Sequence, residues 1–278
     1  MTTKLISMCT LKHADVWKLT SSLLPRFVMA DEYVVFVPEE EIEDFVKITS
    51  PNISIASQST LGLAYKKKLY EKVAFANNGW RYGWYLQQFY KIEAMINSET
   101  SNVIIWDADC VPVSEIKTFD SVGNPMFMAA ANEINSSYFL VIDKLLGLQR
   151  IQNMSFVIPG FPFIRKWMDQ FVEDIQLNNP GKPWHSAIIE HIDFTEMSGF
   201  SETETLGTWM VNKYKDSWSS FSGSWERRGQ KHFGYAKNYT PEKIIKIGRK
   251  KNLDIISFEN WDTYGLRLIL KRLKEKFG

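Results

Sequence analysis

The first half of the chain alternates short apolar runs with longer segments in which apolar residues recur every three or four positions. The short runs predict strands at residues 4–10, 33–37 and 53–56, and the longer period predicts helices at residues 13–28 and from Pro38 onward. Strands that alternate with helices favour a mostly parallel sheet with helices on its faces, and such sheets bind ligands at the carboxyl ends of their strands. The pattern therefore predicts an α/β fold.

A helix that leads directly into a buried strand forms the centre of this pattern. Residues 83–96 repeat apolar positions at helical spacing, and residues 102–106 form an apolar run that ends in Asp107 and Asp109. Proline is confined to sheet edges, so Pro112 predicts that the strand does not continue as a central one. The strand is expected to end in an acidic loop.

The rest of the chain is less regular. Residues 61–79 have no clear pattern, and their three consecutive lysines are interpreted as a solvated face. No long linker interrupts the chain, so we expect one domain over residues 1–239 and a C-terminal helical extension over residues 240–278, packed on the domain or continuing it. The other predicted elements are a strand at 126–131, a helix at 136–146, a strand at 154–158, a turn at 159–162, a helix at 163–176, a surface loop at 178–183, and helices at 241–250 and 261–277.

The composition is that of an ordinary folded protein, with 278 residues of which 45% are hydrophobic and 23% are charged. Lys and Arg number 33 against 32 Asp and Glu, so there is no overall electrostatic case for a nucleic-acid partner. Cys9 and Cys110 offer neither a disulfide framework nor a zinc site and suit a reducing compartment. No apolar run is long enough for a signal peptide or a membrane span, and we expect a cytoplasmic protein.

Asp107 and Asp109 carry the first candidate chemistry. Two carboxylates separated by one residue on a turn can direct oxygens at one hard cation, whose other positions remain for a diphosphate or water. An apolar strand that ends in Asp-x-Asp resembles the signature of GT-A glycosyltransferases. The resemblance implies that both residues bind Mn²⁺ or Mg²⁺ and that Asp107 also belongs to the binding site of a nucleotide-diphosphate sugar.

The preceding helix contains the sequence Gly-Trp-Tyr-Leu-Gln-Gln at residues 83–88. Together with Asp-x-Asp, this helix resembles a group of poorly characterised bacterial and viral GT-A families of the domain-of-unknown-function kind. Gln87 and Gln88 are paired amides that are costly to bury without partners, so they are interpreted as binding the donor sugar or phosphate, or as bracing the acidic loop. Lys91, on the same helix face as Gln88, and Thr10, after the first strand, are also candidates for the donor site.

A second acidic feature is the stretch Ser-Glu-Thr-Glu at residues 201–204. Ser201 and Glu204 predict a capping box, which leaves Glu202 with no local role beyond the helix dipole. The stretch resembles the acidic position downstream of Asp-x-Asp in inverting GT-A enzymes, which implies that Glu202 deprotonates the acceptor hydroxyl. Glu204 is the alternative base, and in a retaining enzyme either carboxylate would instead position the sugar.

Residues 218–239 are polar and aromatic, a composition typical of loops that close over active sites. GT-A enzymes often take a further metal ligand from a late segment, frequently a histidine, and the resemblance makes His232 the candidate. Arg228, with Arg227 and Lys231 near it in sequence, is expected to neutralise the leaving diphosphate, because the guanidinium fork matches phosphate oxygens.

Taken together, these features predict a GT-A-like fold, that of a Rossmann-like nucleotide-diphospho-sugar transferase. The predicted function is metal-dependent transfer of a sugar from a nucleotide-diphosphate donor to a hydroxyl of a glycan or lipid-linked acceptor, in surface polysaccharide synthesis. The alternatives are a nucleotidyltransferase-like sugar-phosphate enzyme and a catalytically silent carbohydrate-binding protein of the same fold. For the basic amphipathic stretch at residues 266–277, contact with the inner face of a membrane is one interpretation and docking on the domain is the other.

Overall fold

The computed structural model describes residues 1–129 and 133–259. In the described part of the chain, strands and helices alternate through the first half and continue less regularly after it. The strands are β1 (Thr3–Met8), β2 (Glu32–Val37), β3 (Ser54–Ser57), β4 (Asn102–Asp107), β5 (Cys110–Pro112), β6 (Met126–Met128), β7 (Gly160–Ile164), β8 (Ser219–Phe221), β9 (Trp225–Glu226) and β10 (Ile255–Ser257). The α-helices are α1 (Ala14–Phe27), α2 (Ile42–Ile48), α3 (Lys66–Phe75), α4 (Tyr82–Ile96), α5 (Ser136–Leu146), α6 (Arg165–Asn178), α7 (Trp184–His191), α8 (Glu202–Lys213), α9 (Gly229–Phe233) and α10 (Pro241–Lys251).

The central sheet has five strands in the order β3-β2-β1-β4-β7. The first four are parallel, and β7 pairs antiparallel with β4. This arrangement confirms the predicted mostly parallel α/β sheet. Because β4 lies beside β1, with Met8 opposite Asp107, the acidic loop follows a strand in the middle of the sheet and opens at its carboxyl edge.

Both faces of the central sheet are covered, which explains the unbroken apolar runs of its inner strands. On β4, Val103 and Ile105 face a large core built with α3, α4, α6 and α8. Ile104 and Trp106 face a second core built with α1 and α2, because successive side chains of a strand point to opposite faces. The strand is therefore fixed on both sides at the point where Asp107 begins the loop.

The end of the sheet differs from the sequence prediction. No strand forms at residues 154–158, and the predicted turn at 159–162 lies mostly within β7. The predicted helix at 163–176 begins two residues later, as α6. The glycine that starts β7 explains part of the error, because a Cβ on Gly160 would lie 2.6 Å from the Trp106 ring, so the residue serves packing and not a turn.

The proline inside β7 is compatible with its position at the sheet edge. The amide of Asp107 donates to the carbonyl of Pro159 at 2.9 Å, which marks a hydrogen-bonded antiparallel pair. Since such pairs alternate with non-hydrogen-bonded ones, Ile104 and Pro162 form a non-hydrogen-bonded pair. Pro162 therefore loses no hydrogen bond to β4, and the strand forms in spite of it.

Two small sheets complete the described part, with strand orders β5-β10-β9 and β6-β8. Residues 218–239, expected as a loop over the site, instead contain β8, β9 and α9. The predicted helix at 241–250 is confirmed as α10, whereas the prediction at 261–277 falls outside the described residues. The predicted strand at 126–131 ends early, at Met128, and its last two residues also lie outside the described part.

The described part of the C-terminal segment is packed into the rest of the molecule. β10 pairs antiparallel with β5, so that Ser257 lies opposite Cys110. Ile244 and Ile245 of α10 belong to a third core that includes Leu19 of α1. The proposed division between residues 239 and 240 stays a prediction, and the packing favours continuation of the domain over a separate extension.

Candidate active site

The acidic loop joins β4 to β5 at the carboxyl edge of the central sheet. Its course is fixed by two hydrogen bonds: the Trp106 indole donates to the carbonyl of Cys110 at 2.8 Å, and the amide of Phe258 donates to the carbonyl of Asp109 at 2.9 Å. The first bond closes the turn, and the second attaches it to the segment after β10. Asp107 and Asp109 are thus presented by a turn that is held from both sides.

Lys91 is the centre of the charged group at this edge. It projects from α4, is 5% exposed, and donates to Asp107 Oδ1 at 2.7 Å and to Glu202 Oε1 at 2.8 Å. Burial alone would lower the pKa of Lys91, but the two carboxylates outweigh this effect and raise it. The lysine is therefore charged, and it joins the end of β4 to the start of α8.

Glu202 is held at the first residue of α8 by a second contact from α4. The side-chain oxygen of Gln88, a buried residue, accepts a hydrogen bond from the backbone N–H of Glu202 at 3.1 Å. An N-terminal helix amide has no partner within its own helix, so Gln88 supplies one. Gln88 thus contacts the start of α8, and the two roles expected for it, donor binding and bracing of the acidic loop, stay predictions.

Asp109 lies in a crowded acidic environment. Burial raises its pKa, the nearby Asp107 raises it further, and the charges of His13 and Lys91 act in the opposite direction. Burial also raises the pKa of Glu259 to about 8, with Asp109 and Asp107 adding to the shift and Arg227 opposing it. Three carboxyl groups are therefore close enough to repel one another, which is the environment in which a cation is favoured.

Arg227 connects Glu259 to the opposite side of this edge. Its Nη1 donates to Glu133 Oε2 at 2.8 Å, its Nε lies 3.6 Å from Glu259 Oε1, and its guanidinium stacks 4.7 Å from the centroid of the Trp225 ring. With two carboxylate partners, Arg227 bridges the segment after β10 and the residues before α5. It is less suited to neutralising a free diphosphate than the sequence suggested.

Glu204 points away from the charged group. Its Oε2 accepts from the Ser155 hydroxyl at 3.0 Å and from the Phe156 amide at 2.9 Å, and burial raises its pKa. Ser201 caps the helix as predicted, because its Oγ accepts from the Glu204 amide at 3.2 Å. The Glu204 side chain thus attaches residues 155–156 to α8 instead of completing the capping box, and its catalytic role stays a prediction without a supporting contact.

The remaining predicted residues are not among the hydrogen-bond partners of Lys91, Asp107 and Glu202 described above. His232, on α9, pairs through Nδ1 with Glu226 at 2.8 Å. Arg228 is exposed and immediately precedes α9, and its backbone N–H donates to Glu226 Oε1. Thr10 follows β1, two residues after the register partner of Asp107, and Gln87 is half-buried on α4. The ligand and donor-binding roles of these four residues stay predictions.

The carboxylates of Asp107 and Asp109 can be compared with the ligands that a divalent cation requires. Carboxylate oxygens are the ligands that Mg²⁺ and Mn²⁺ prefer. Within residues 1–129 and 133–259, no group of three or more His, Cys, Asp and Glu side chains forms a complete metal site. The mutual repulsion at Asp109 fits a cation bound by two carboxylates, with the remaining positions left for a diphosphate or water.

Two residues of this group were not singled out from the sequence. Glu259 lies 150 positions after Asp109, and Glu133 follows the strand region at 126–131 by only two positions. The apolar run Ile255-Ile256-Ser257-Phe258 is the signal that could have found Glu259, since it predicts a short strand ending in an acid. Nothing in the local sequence indicates that Glu133 pairs with Arg227.

The sequence profile of one family matches residues 19–201, from within α1 to the residue before α8. It is described as a family of unknown function, DUF6492. The chain belongs to DUF6492. The part that DUF6492 covers contains Gln88, Lys91, Asp107 and Asp109 and ends one residue before Glu202. No curated protein matches the chain by sequence.

A solved structure has a similar fold. The crystal structure of mouse xyloside xylosyltransferase 1 in its apo form superimposes with a TM-score of 0.50, covering 94% of this DUF6492 chain and 98% of the mouse chain at 12% identity. The expected GT-A-like α/β architecture is thereby confirmed, with a mainly parallel central sheet flanked by helices as in a glycosyltransferase. At this level of identity the similarity concerns the fold, and activity has to be argued from the site.

The sequence resembles poorly characterised families of the domain-of-unknown-function kind. The match to DUF6492, a family of unknown function, confirms that part of the resemblance. The role of Asp-x-Asp stays a prediction. No helix in the described ranges combines the length and the apolar character needed to span a membrane.

Proposed function

We propose that this chain is a metal-dependent glycosyltransferase that moves a sugar from a nucleotide-diphosphate donor to a hydroxyl of a glycan or lipid-linked acceptor. One observation carries the proposal: Lys91 contacts both Asp107, at the predicted metal loop, and Glu202, at the predicted base. Two acidic features that are far apart in the sequence therefore belong to one charged group. The fold shared with a xylosyltransferase supports the same class of reaction.

In this proposal Asp107 and Asp109 hold Mn²⁺ or Mg²⁺, which when bound supplies positive charge to the leaving diphosphate. The surrounding residues of the chain hold the side chains of Asp107 and Asp109 in position. Lys91 keeps one oxygen of Asp107 oriented at 2.7 Å, and the second oxygen is left for the cation. Because the Trp106 indole bonds to the Cys110 carbonyl and the Phe258 amide bonds to the Asp109 carbonyl, Asp109 needs little rearrangement to bind.

Glu202 is the proposed general base. Gln88 holds its backbone and Lys91 holds its Oε1, so Oε2 is the atom that accepts the proton of the acceptor hydroxyl as that hydroxyl attacks the anomeric carbon. This role corresponds to inversion. In a retaining reaction the same fixed carboxylate would orient the donor sugar, and the anomeric configuration of the product separates the two.

Calorimetry with a panel of nucleotide-diphosphate sugars, with and without Mn²⁺, tests the proposal. We expect metal-dependent binding for the wild type and its loss in Asp109→Asn. The matched control is Asp216→Asn, at an exposed aspartate in the turn after α8, which should bind like the wild type. Equal binding with and without metal, or unchanged binding in Asp109→Asn, would contradict the proposed metal-binding role of Asp107 and Asp109.

Product analysis then distinguishes the alternatives. Release of the nucleoside diphosphate together with a new glycosidic bond supports the proposed reaction. Release of pyrophosphate from a nucleoside triphosphate and a sugar phosphate would indicate a nucleotidyltransferase. Binding without turnover for every donor and acceptor tried would favour a silent carbohydrate-binding protein.

A further inference from the structure

One face of α4 carries more than the two residues that contact Glu202. Gln88 and Lys91 share this face with Trp84, one turn before Gln88, and with Arg81, the residue that precedes the helix. Residues at spacings of three, four and seven positions lie on the same side of an α-helix. Arg81 therefore lies on the side of α4 that faces the candidate active site, about two turns, roughly 10 Å, before Gln88.

The segment that leads into α8 runs along this face. Arg81 Nη2 donates a hydrogen bond to the Ser198 hydroxyl at 3.2 Å. Four residues after Ser198, the backbone N–H of Glu202 donates to Gln88, and the carboxylate of Glu202 accepts from Lys91. Since Lys91 also contacts the acidic loop, Arg81 lies beyond Glu202, at the end of this face that is farther from that loop.

The guanidinium of Arg81 is held in one orientation. Its central carbon lies 3.9 Å from the centroid of the Trp84 ring and 5.4 Å from that of the Trp80 ring. A cation over an aromatic ring is attracted by the ring quadrupole. The Asn135 side chain donates to the carbonyl of Ser198 at 2.9 Å, so the residue that accepts from Arg81 is itself held. The guanidinium fork is thus oriented in advance, which lowers the entropic cost of binding a ligand.

The charge of Arg81 is not compensated by a carboxylate. Within the described residues no acid pairs with Arg81, and its buried Nε has no hydrogen-bond partner, whereas the half-buried Arg165 and Arg227 each pair with a carboxylate at 2.8 Å. Burial lowers the pKa of Arg81, and the nearby Tyr85 and Tyr138 act in the opposite direction. Because a guanidinium stays protonated in proteins, an anionic ligand is the partner that offsets the cost of burying this charge.

The position of Arg81 indicates which substrate carries the anion. In the proposed function the donor diphosphate lies at the acidic loop, and Glu202 takes a proton from the acceptor. A group that contacts Arg81 lies on the side of Glu202 away from the acidic loop, so it belongs to the acceptor. The planar fork of arginine matches the oxygens of a carboxylate and of a phosphate.

We propose that Arg81 binds an anionic group, a carboxylate or a phosphate, of an acceptor glycan. The inference rests on the proposed function and narrows its acceptor to an acidic glycan, since a neutral one would leave the guanidinium unpaired. The two helical turns between Arg81 and Gln88 place the anion away from the hydroxyl that reacts, on a neighbouring part of the glycan.

Binding of the full chain to immobilised glycans tests the inference without turnover. The glycans are uronate-containing oligosaccharides, each paired with its methyl ester, and phosphate-bearing oligosaccharides, each paired with its dephosphorylated form. We expect the wild type to bind acidic members of one series at least about tenfold more tightly than their neutral counterparts. The series that shows the difference identifies the anion as a carboxylate or a phosphate.

Variants of Arg81 assign this preference to the residue. Arg81→Gln should bind the acidic and neutral forms alike, and Arg81→Lys, which keeps the charge without the fork, should keep part of the preference. The matched control is Arg26→Gln, at an exposed arginine that also lies against an aromatic ring, 5.2 Å from the centroid of Phe27, and it should bind like the wild type. If thermal unfolding shows that Arg81→Gln does not fold, Arg81→Lys decides the question.

Three results would overturn the inference. The first is a wild type that binds no glycan, or binds acidic glycans and their neutral counterparts equally. The second is an unchanged preference in the Arg81 variants. The third is weaker binding of nucleotide sugars with Mn²⁺ in folded Arg81→Gln, which would assign Arg81 to the donor site.

The donor measurement also separates this inference from the proposed function. Metal-dependent nucleotide-sugar binding by a wild type without a preference for acidic glycans would leave the proposed function standing and remove the role of Arg81. An Arg81-dependent preference in a wild type that binds no nucleotide sugar would contradict the proposed function and support the anion site.

Discussion

Lys91 is a buried charge whose two partners belong to different elements, so its removal affects more than one contact. In Lys91→Met, Asp107 and Glu202 lose the cation between them. The Glu202 side chain is only 6% exposed, and a buried carboxylate without a counter-charge is strongly destabilising, whereas Asp107 is 35% exposed and can be solvated. We expect the free energy of unfolding to fall by about 3 kcal/mol. The double variant Lys91→Met with Glu202→Gln should lose less than the sum of the single variants, because a glutamine needs no counter-charge.

Chemical denaturation of the four proteins in this cycle measures the coupling. An interaction energy above about 1 kcal/mol is expected for Lys91 with Glu202. The same cycle on Lys213 and Asp174, whose side chains are 42% and 23% exposed, should give less, because solvent screens that pair. Equal couplings for the two pairs would contradict the central position given to Lys91.

Glu259 makes stability depend on pH. Its pKa in the folded chain is raised from 4.5 to about 8, so between these values the folded state binds more protons than the unfolded state. Stability should therefore fall as pH rises from about 5 to 8, by roughly 3–4 kcal/mol from this group. Glu259→Gln should flatten this part of the profile of unfolding temperature against pH, and a profile identical to that of the wild type would show that the carboxyl group is not so perturbed.

At the scale of single elements, α8 is positioned by a close approach to the segment before β7. A Cβ on Gly207 would lie 2.1 Å from the Phe156 ring, which is itself fully buried. Gly207→Ala should therefore push α8 away and destabilise the chain by about 1–3 kcal/mol. The control is Gly83→Ala on α4, where a Cβ meets nothing within 4 Å and helix propensity favours alanine.

Denaturation midpoints compare these two alanine variants. A small effect of Gly207→Ala would mean that Phe156 can move aside. Loss of nucleotide-sugar binding at a temperature where Gly207→Ala is still folded is also expected, because Glu202 is the first residue of the helix that is displaced.

The elements that could be predicted from the sequence are those whose signal is local. The apolar run of β4 and the helical period of α4 predicted bounds that differ from the observed ones by at most one residue. The capping residue Ser201 predicted the start of α8. The errors have non-local causes. Gly160 and Pro162 suggested a turn, but the ring of Trp106 and a place at the sheet edge make them residues of a strand.

The same distinction applies to the candidate site. Asp107, Asp109 and Glu202 were singled out from the sequence by the Asp-x-Asp resemblance and the capping pattern, and their roles stay predictions. The contact that joins Asp107 to Glu202 depends on Lys91. The i,i+3 position of Lys91 relative to Gln88 indicates a shared helix face and not two carboxylate partners. Glu259 and Glu133 approach the site through β10 and the start of α5. Such contacts depend on tertiary packing, which no local pattern records.

At the scale of the whole molecule, the small sheet β5-β10-β9 joins the end of the described chain to its first half. Residues 1–239 would leave β5 without β10 and expose the core around Leu19 that Ile244 and Ile245 fill. We expect this truncated chain to lack a cooperative unfolding transition and a dispersed amide NMR spectrum. A folded 1–239 fragment with native thermal stability would establish the segment as a separate extension.

The proline in β7 also bears on how copies of the chain behave at high concentration. At the positions of β7 that do not bond to β4, the backbone N–H and C=O groups point away from β4. When such a row is exposed at a sheet edge, a strand of a second molecule can pair with it by hydrogen bonds, and this pairing leads to aggregation. Pro162 occupies the middle outward position and has no N–H to offer. The edge therefore cannot supply an unbroken ladder to a second molecule, which favours a dispersed protein over strand-mediated fibres.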